Sequence, residues 1–174
     1  MIIKSYEINK INFGKKGLFL FYGKNEGLKK ETTNILIGNK GEVLTYDEKE
    51  LLNNQNEFIE NTCTKSLFEP TKKIIIRRAS DKILKMVEEI HNKNLDDVKI
   101  IINAENLEKK SKLRSFFEKD KNLICIPFYP DNDQTLLKLA YNFFEEKKIK
   151  ISSLNINTIV NKCSGDRENL FNEL

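Results

Sequence analysis

Glycines at 23 and 27 followed by lysines at 29 and 30 make Gly23-Lys-Asn-Glu-Gly27-Leu-Lys29-Lys30-Glu31 the stretch of this sequence closest to a phosphate-holding turn. A loop that cradles nucleotide phosphates reads G-x-x-x-x-G-K-[ST]. Its glycines let backbone N–H groups close round the oxygens, and its hydroxyl ligates magnesium. This stretch departs from that pattern throughout. The interval from Gly23 to Gly27 is one residue short, Leu28 stands where the lysine belongs, and no hydroxyl follows until Thr32. The later strand that should end in acidic residues, to hold a magnesium-bound water, ends instead in Asn103-Ala104-Glu105. The reading is a degenerate loop at Gly23, Gly27 and Lys29 that neither binds nor cleaves nucleotide, with no cofactor and no catalytic site.

Other reactive side chains are as poorly placed. The single histidine, His91, lies beside an apolar helical stripe and reads as an ordinary surface residue, since one imidazole cannot build a His-rich metal site. The adjacent carboxylates Glu88-Glu89, Asp96-Asp97 and Glu145-Glu146 point apart on a helix or strand and cannot share a proton. Cysteines at 63, 125 and 163 match no zinc or redox spacing and read as reduced thiols of a cytoplasmic protein. No metal ligand set is expected.

The elements that must carry these residues are legible from periodicity. Leu18-Phe-Leu-Phe-Tyr22, Gly41-Glu-Val-Leu-Thr-Tyr46, Lys73-Ile-Ile-Ile-Arg77, Val98-Lys-Ile-Ile-Ile-Asn103 and Leu123-Ile-Cys-Ile-Pro127 are short apolar runs of the kind buried in a parallel sheet. Helical spacing lies between them: Ile83, Met86, Val87 and Ile90 behind the caps Ser80 and Asp81, and then Leu113, Phe116 and Phe117. Strands alternating with helices predict an α/β fold with a mostly parallel sheet flanked by helices. From residue 131 onward the pattern is helical throughout. Asp131 and Gln134 resemble a capping box, a second helix runs from about 152 to 163 and stops at Gly165, and Asp166 opens a third. That last helix is too short to bury its face alone, which predicts that more chain follows or has been removed.

Composition sets the outer limits. At 174 residues, with Ile, Leu, Val and Phe supplying 55 of them, the chain holds enough apolar side chain for one substantial core. The net charge of +4 rests on lysine, with arginine at 77, 78, 114 and 167, and such a mild excess speaks to solubility rather than to a specific partner. No apolar run approaches the roughly 20 residues that a membrane span requires.

In order along the chain stand Leu18-Phe-Leu-Phe-Tyr-Gly23 followed by an acidic residue and a helix, Ser66-Leu67-Phe68 shortly before Lys73-Ile-Ile-Ile-Arg77-Arg78-Ala79, and Val98-Lys-Ile-Ile-Ile-Asn103. Ser111-Lys-Leu-Arg-Ser-Phe-Phe-Glu118 and Gly165-Asp-Arg-Glu-Asn-Leu-Phe-Asn-Glu-Leu174 complete the set. This ordered set resembles the delta subunit of the bacterial DNA polymerase III clamp loader, a subunit of a DNA-directed DNA polymerase (nucleotidyltransferase) holoenzyme. The resemblance implies an AAA+-like module over residues 1–130 without a functional phosphate loop, and a small helical lid domain over 131–174. The collar domain through which family members join the other loader subunits is absent, so the isolated chain is expected to be a monomer. The resemblance further implies that the subunit grips the sliding clamp and springs it open for loading onto primed DNA. It does so through a hydrophobic pair that falls on Leu67 and Phe68, beside Ser66. Read from the residues alone, that pair before Pro70 and a strand anchors its segment in the core, and it is the resemblance that favours the clamp-binding role.

Two other functions fit parts of the sequence. One is a nucleotide-dependent AAA+ ATPase with a divergent loop over Gly23 to Lys30. The other is a nucleic-acid-binding module in which lysines 109, 110, 112, 119 and 121 with Arg114 follow a DNA backbone while Phe116 and Phe117 stack on bases.

Overall fold

The computed structural model describes residues 2–4, 7, 17–38, 41–64 and 71–174. All five apolar runs are strands: β1 (Leu18–Gly23), β2 (Val43–Asp47), β3 (Lys72–Ala79), β4 (Val98–Ala104) and β5 (Ile124–Phe128). They form one sheet in the order β2-β3-β4-β1-β5. The pairings of β1 with β4, β2 with β3, and β3 with β4 are parallel, with Leu20 opposite Ile102 and Ile74 opposite Ile100. At the β5 edge Ile2 forms a parallel bridge with Cys125, and Ile3 donates its N–H to the Cys125 carbonyl at 3.0 Å.

Parallel neighbours require a crossover, and helices supply it. They are α1 (Glu26–Ile37), α2 (Glu48–Asn53), α3 (Gln55–Cys63), α4 (Leu84–Asn92) and α5 (Lys112–Lys119), then α6 (Asp133–Glu146), α7 (Ser153–Lys162) and α8 (Arg167–Glu173). The fold is a parallel α/β sheet flanked by helices and followed by a small all-helical part. Every residue of β1 and β5 is buried, as a strand covered on both faces requires.

By internal contacts the chain divides into two compact units. The first holds Met1–Gly23 and Thr32–Pro127, and the second holds Lys24–Glu31 and Phe128–Leu174. In the first unit Leu20, Ile74, Ile76, Ile100 and Ile102 of the sheet pack with Ile83, Met86, Val87 and Ile90, and with Leu113 and Phe117. Truncating any of these to alanine removes about 2–5 kcal/mol. In the second unit Leu136, Ala140 and Phe144 pack with Ile156, Val160, Cys163 and Leu170.

The caps differ from the sequence expectation in two places. Ser80 does cap the 3₁₀ turn Asp81–Ile83, but Asp81 serves another helix. Its carboxylate accepts the Ser111 hydroxyl at 2.6 Å and the N–H groups of Lys112 and Leu113 at 3.0 Å, closing the N-terminus of α5. Burial opposes its ionisation, yet those hydrogen bonds outweigh burial and hold the carboxyl below its ordinary range. Helix α6 starts one residue later than expected. Asn132, not Asp131, accepts the Thr135 N–H at 2.8 Å, because Asp131 is engaged elsewhere. The stop after α7 is shared by Ser164 and Gly165, with φ of 50° and 80°, and Asp166 caps α8 through the Asn169 N–H at 2.9 Å.

Candidate functional site

The turn that leaves β1 is tied up by its own side chains. Gly23, at a φ of 121°, donates its N–H to the Glu105 carbonyl at 2.9 Å. Asn25 is the hub of the next turn. Its Oδ1 accepts the Leu28 N–H at 3.0 Å, capping α1, while its Nδ2 donates to the Tyr129 carbonyl at 3.0 Å and to Asp131 at 2.8 Å. The Lys29 side chain is 3% exposed, with Nζ 2.6 Å from Glu26 Oε1. A lysine held inward by a carboxylate on its own helix does not present its charge to a phosphate. Gly27 also has a different use: a Cβ there would stand 3.0 Å from the Glu168 N and 3.2 Å from the Arg167 Cβ. The glycine permits close approach of α1 to α8 rather than of a backbone to a ligand.

Arg167, at the first position of α8, is the residue that sequence reasoning passed over. Its side chain is 8% exposed. Nε and one terminal nitrogen each donate to the two Asp131 oxygens at 2.8 Å, and the other terminal nitrogen donates to Glu31 at 2.8 Å. Burial pulls the guanidinium pKa down, and the Asp131 and Glu31 carboxylates more than reverse that, so it ends raised. The fork-on-fork geometry with a nearly buried Asp131 makes this a tight charge-assisted pair, whereas Glu31, 47% exposed, adds less. A cavity of about 180 Å³ adjoins the cluster, lined among others by Lys24, Glu26, Gly27, Pro130 and Arg167. Its one buried cation is already neutralised by protein carboxylates. The available signal was Arg167 itself, a rare arginine placed just after Gly165-Asp166.

At the carboxyl end of β4, Asn103 has a buried Oδ1 without a partner, and Glu105 is exposed. Among the described residues no three His, Cys, Asp or Glu side chains come together as a metal site.

Ser66, Leu67 and Phe68 lie outside the described residues; their flanks do not. Helix α3 ends at Cys63, and Lys72 of β3 donates through Nζ to the Thr64 carbonyl at 2.6 Å and to the Asn61 carbonyl. The ammonium thereby satisfies carbonyls that the end of α3 leaves open, and it brings Thr64 and Lys72 together. Beside this clasp lies a cavity of about 240 Å³ lined by Leu44, Tyr46, Asn61, Thr62, Lys72 and Ile74.

The rings of the lysine-rich α5 pack inward, as the apolar face they share with Leu113 implies, and not as a base-stacking surface. Phe117 is fully buried, and Phe116 packs against the core and the His91 ring at 5.8 Å. Arg114 is held by Glu118 at 2.7 Å and by the Leu107 carbonyl at 3.0 Å, over the Tyr22 ring. His91 places Nε2 2.9 Å from Asp120. These groups hold the module together and leave neither ring for a base.

The chain matches no family model and no curated protein. Solved structures do match. The Bacillus subtilis DNA clamp loader delta protein (YqeN) superposes over 97% of this chain with a TM-score of 0.65 at 14% identity. This chain has the fold of that delta protein. It spans about half of its length, 54%. Domain III of the Thermotoga maritima replication initiation protein DnaA matches over 95% of this chain and 76% of its own, with a TM-score of 0.51 at 16% identity. At these identities the likeness is one of fold. The resemblance to clamp loader delta that the sequence motifs suggested therefore returns in three dimensions. Among the described residues no helix is long and apolar enough to cross a membrane.

Proposed function

We propose that this chain is a non-catalytic, delta-type clamp-loader subunit of the replication machinery that binds the sliding clamp through Leu67 and Phe68, next to Ser66. The observation that carries the reading is the delta fold over 97% of the chain, together with ordered motifs that put an apolar pair between α3 and β3. The Lys72 clasp supports it, since it brings together Thr64 and Lys72, which flank that pair in the sequence. Two apolar side chains entering an apolar pocket gain about 1.5–3 kcal/mol each, the scale of interface hot spots. If the pair fits an opened clamp interface better than a closed one, that difference in affinity shifts the clamp toward opening without nucleotide chemistry in this chain. The other loader subunits are partners on the same reading.

The ATPase alternative has less behind it. Lys29 is paired with Glu26, and Arg167 with Asp131 and Glu31, so a phosphate would have to displace carboxylates from both cations.

Calorimetric titration of the cognate clamp into the chain tests the proposal. Leu67→Ala and Phe68→Ala should each weaken binding about tenfold or more, for 1.4 kcal/mol per decade, with circular dichroism unchanged. Equal affinity in folded variants would remove the pair from the interface.

A further inference from the structure

Two lysines meet at the amino ends of β3 and β4, where neither the fold nor the clamp reading has a use for them. The β3–β4 register sets Lys73 opposite Lys99. Partners across parallel strands point to the same face, with their backbones about 4.8 Å apart. Both residues are half-buried. Lys99 reaches the last turn of α1, where its Nζ donates to the Leu36 carbonyl at 2.9 Å, one of the carbonyls that a helix C-terminus leaves open. Other lysines of the chain meet carboxylates: Lys30 pairs with Glu168, Lys93 with Glu89 and Lys110 with Glu108. Here a lysine meets a lysine.

That placement changes the chemistry of the amine. Burial first, and then the positive charge of Lys73, hold the Lys99 ammonium below its ordinary pKa of 10.5. The Leu36 carbonyl does not require the charge, because a neutral amine keeps N–H groups to donate and gains a lone pair. The position is also open on one side. A Cβ on Gly38, the exposed residue just past α1, would meet nothing within 4 Å.

We propose that Lys99 is a site of covalent acylation by acyl phosphates, with Lys73 as the residue that activates it. A lysine becomes nucleophilic when it is desolvated or set next to another cation, and both conditions meet at this position. The free amine of Lys99 attacks the acyl carbon. The amide C–N bond forms, the C–O bond between the acyl carbon and the phosphate breaks, phosphate leaves with that electron pair, and the proton of the amine passes to water. The Lys73 ammonium beside the reacting atoms favours a donor whose leaving group is an anion, which is the reason for an acyl phosphate over a neutral ester. The product also fits. Its amide keeps an N–H for the Leu36 carbonyl, and loss of the Lys99 charge ends the repulsion from Lys73, so acylation removes a positive charge from this face without opening the fold. The site stands apart from the clamp proposal and does not need it.

The test treats the full chain with acetyl phosphate at neutral pH, to a low extent of labelling, and ranks the modified positions by peptide mapping and mass spectrometry. Lys99 should be acetylated about threefold or more faster than exposed lysines such as Lys82, Lys85 and Lys147. Lys73→Gln should slow Lys99 by about threefold or more, whereas Lys73→Arg, which keeps the charge, should keep the rate. Thermal melts of the three proteins accompany the labelling, so that activation is separated from packing. Labelling of Lys99 no faster than of the exposed lysines overturns the proposal, as does a Lys99 rate that folded Lys73→Gln leaves unchanged. Should Lys73→Gln fail to fold, Lys73→Arg decides: a slowed Lys99 in that folded variant overturns the proposal, and an unchanged one supports it.

Discussion

Two arginine sites in this molecule follow opposite logic. Around Arg167 each nitrogen of the fork meets a carboxylate at 2.8 Å, and the side chain is nearly buried. At the end of β3 Arg77 and Arg78 are exposed, one without a partner among the described residues and the other on a left-handed backbone. A charge answered from within the chain contributes to stability and specificity of fold. A charge left in water on a strained backbone contributes little to either. Removing the first should therefore damage folding, and removing the second should leave it intact.

The largest effect belongs to the buried pair. Arg167→Ala strands the Asp131 carboxylate, 7% exposed, and should cost about 3–5 kcal/mol in chemical denaturation, the usual penalty for an uncompensated buried charge. Arg167→Lys should recover only part of that, since an ammonium cannot span both oxygens. A variant that melts like the wild type would remove the contrast between the two sites.

Next comes Gly27→Ala. The new methyl would sit 3.0 Å from the Glu168 N, an overpacking cost of about 1–3 kcal/mol against a helix-propensity gain of at most about 1. Net destabilisation is expected; a stabilised variant would show that α8 moves aside cheaply.

Acid should act through Asp81. Its native pKa lies below the ordinary value of 3.8, so the stability it contributes is fully present above that value and is lost as pH falls through the depressed native one. Asp81→Asn should flatten the acid limb of a pH–stability curve measured by denaturant unfolding, and an unaltered limb would contradict the α5 cap. The smallest effect is Arg78→Gly, which should raise stability by up to about 1 kcal/mol through relief of the left-handed strain. A clear loss would mean that the Asp47 pair matters more than its exposure suggests.

Much of this fold was legible because burial on both sheet faces writes itself as unbroken apolar runs, and Leu18 to Tyr22 and Val98 to Asn103 could be little else. Helices α2 and α3 had no such stripe, relying on Leu51, Phe58 and Ile59. What stayed hidden depends on distance in sequence. Arg167 finds Asp131 across 36 residues and Glu31 across 136, and no local pattern encodes that. For the same reason Asp131 read as a cap when its neighbour Asn132 does the capping. The phosphate-like turn reads as degenerate in its residue types, but its positive content, an Asn25 hub and a Gly27 contact, arises from packing. Arg78 carried no signal at all, since left-handed backbone at a bulge is visible only once β3 and β4 are aligned.

The central proposal is that this α/β scaffold grips a clamp by an apolar pair and without nucleotide. Titration of the cognate clamp with and without magnesium ATP, wild type beside the double variant Leu67→Ala/Phe68→Ala, tests it most directly. The account predicts saturable wild-type binding that ATP leaves unchanged and that the double variant loses. Binding that requires ATP, or that survives in the double variant, would contradict it.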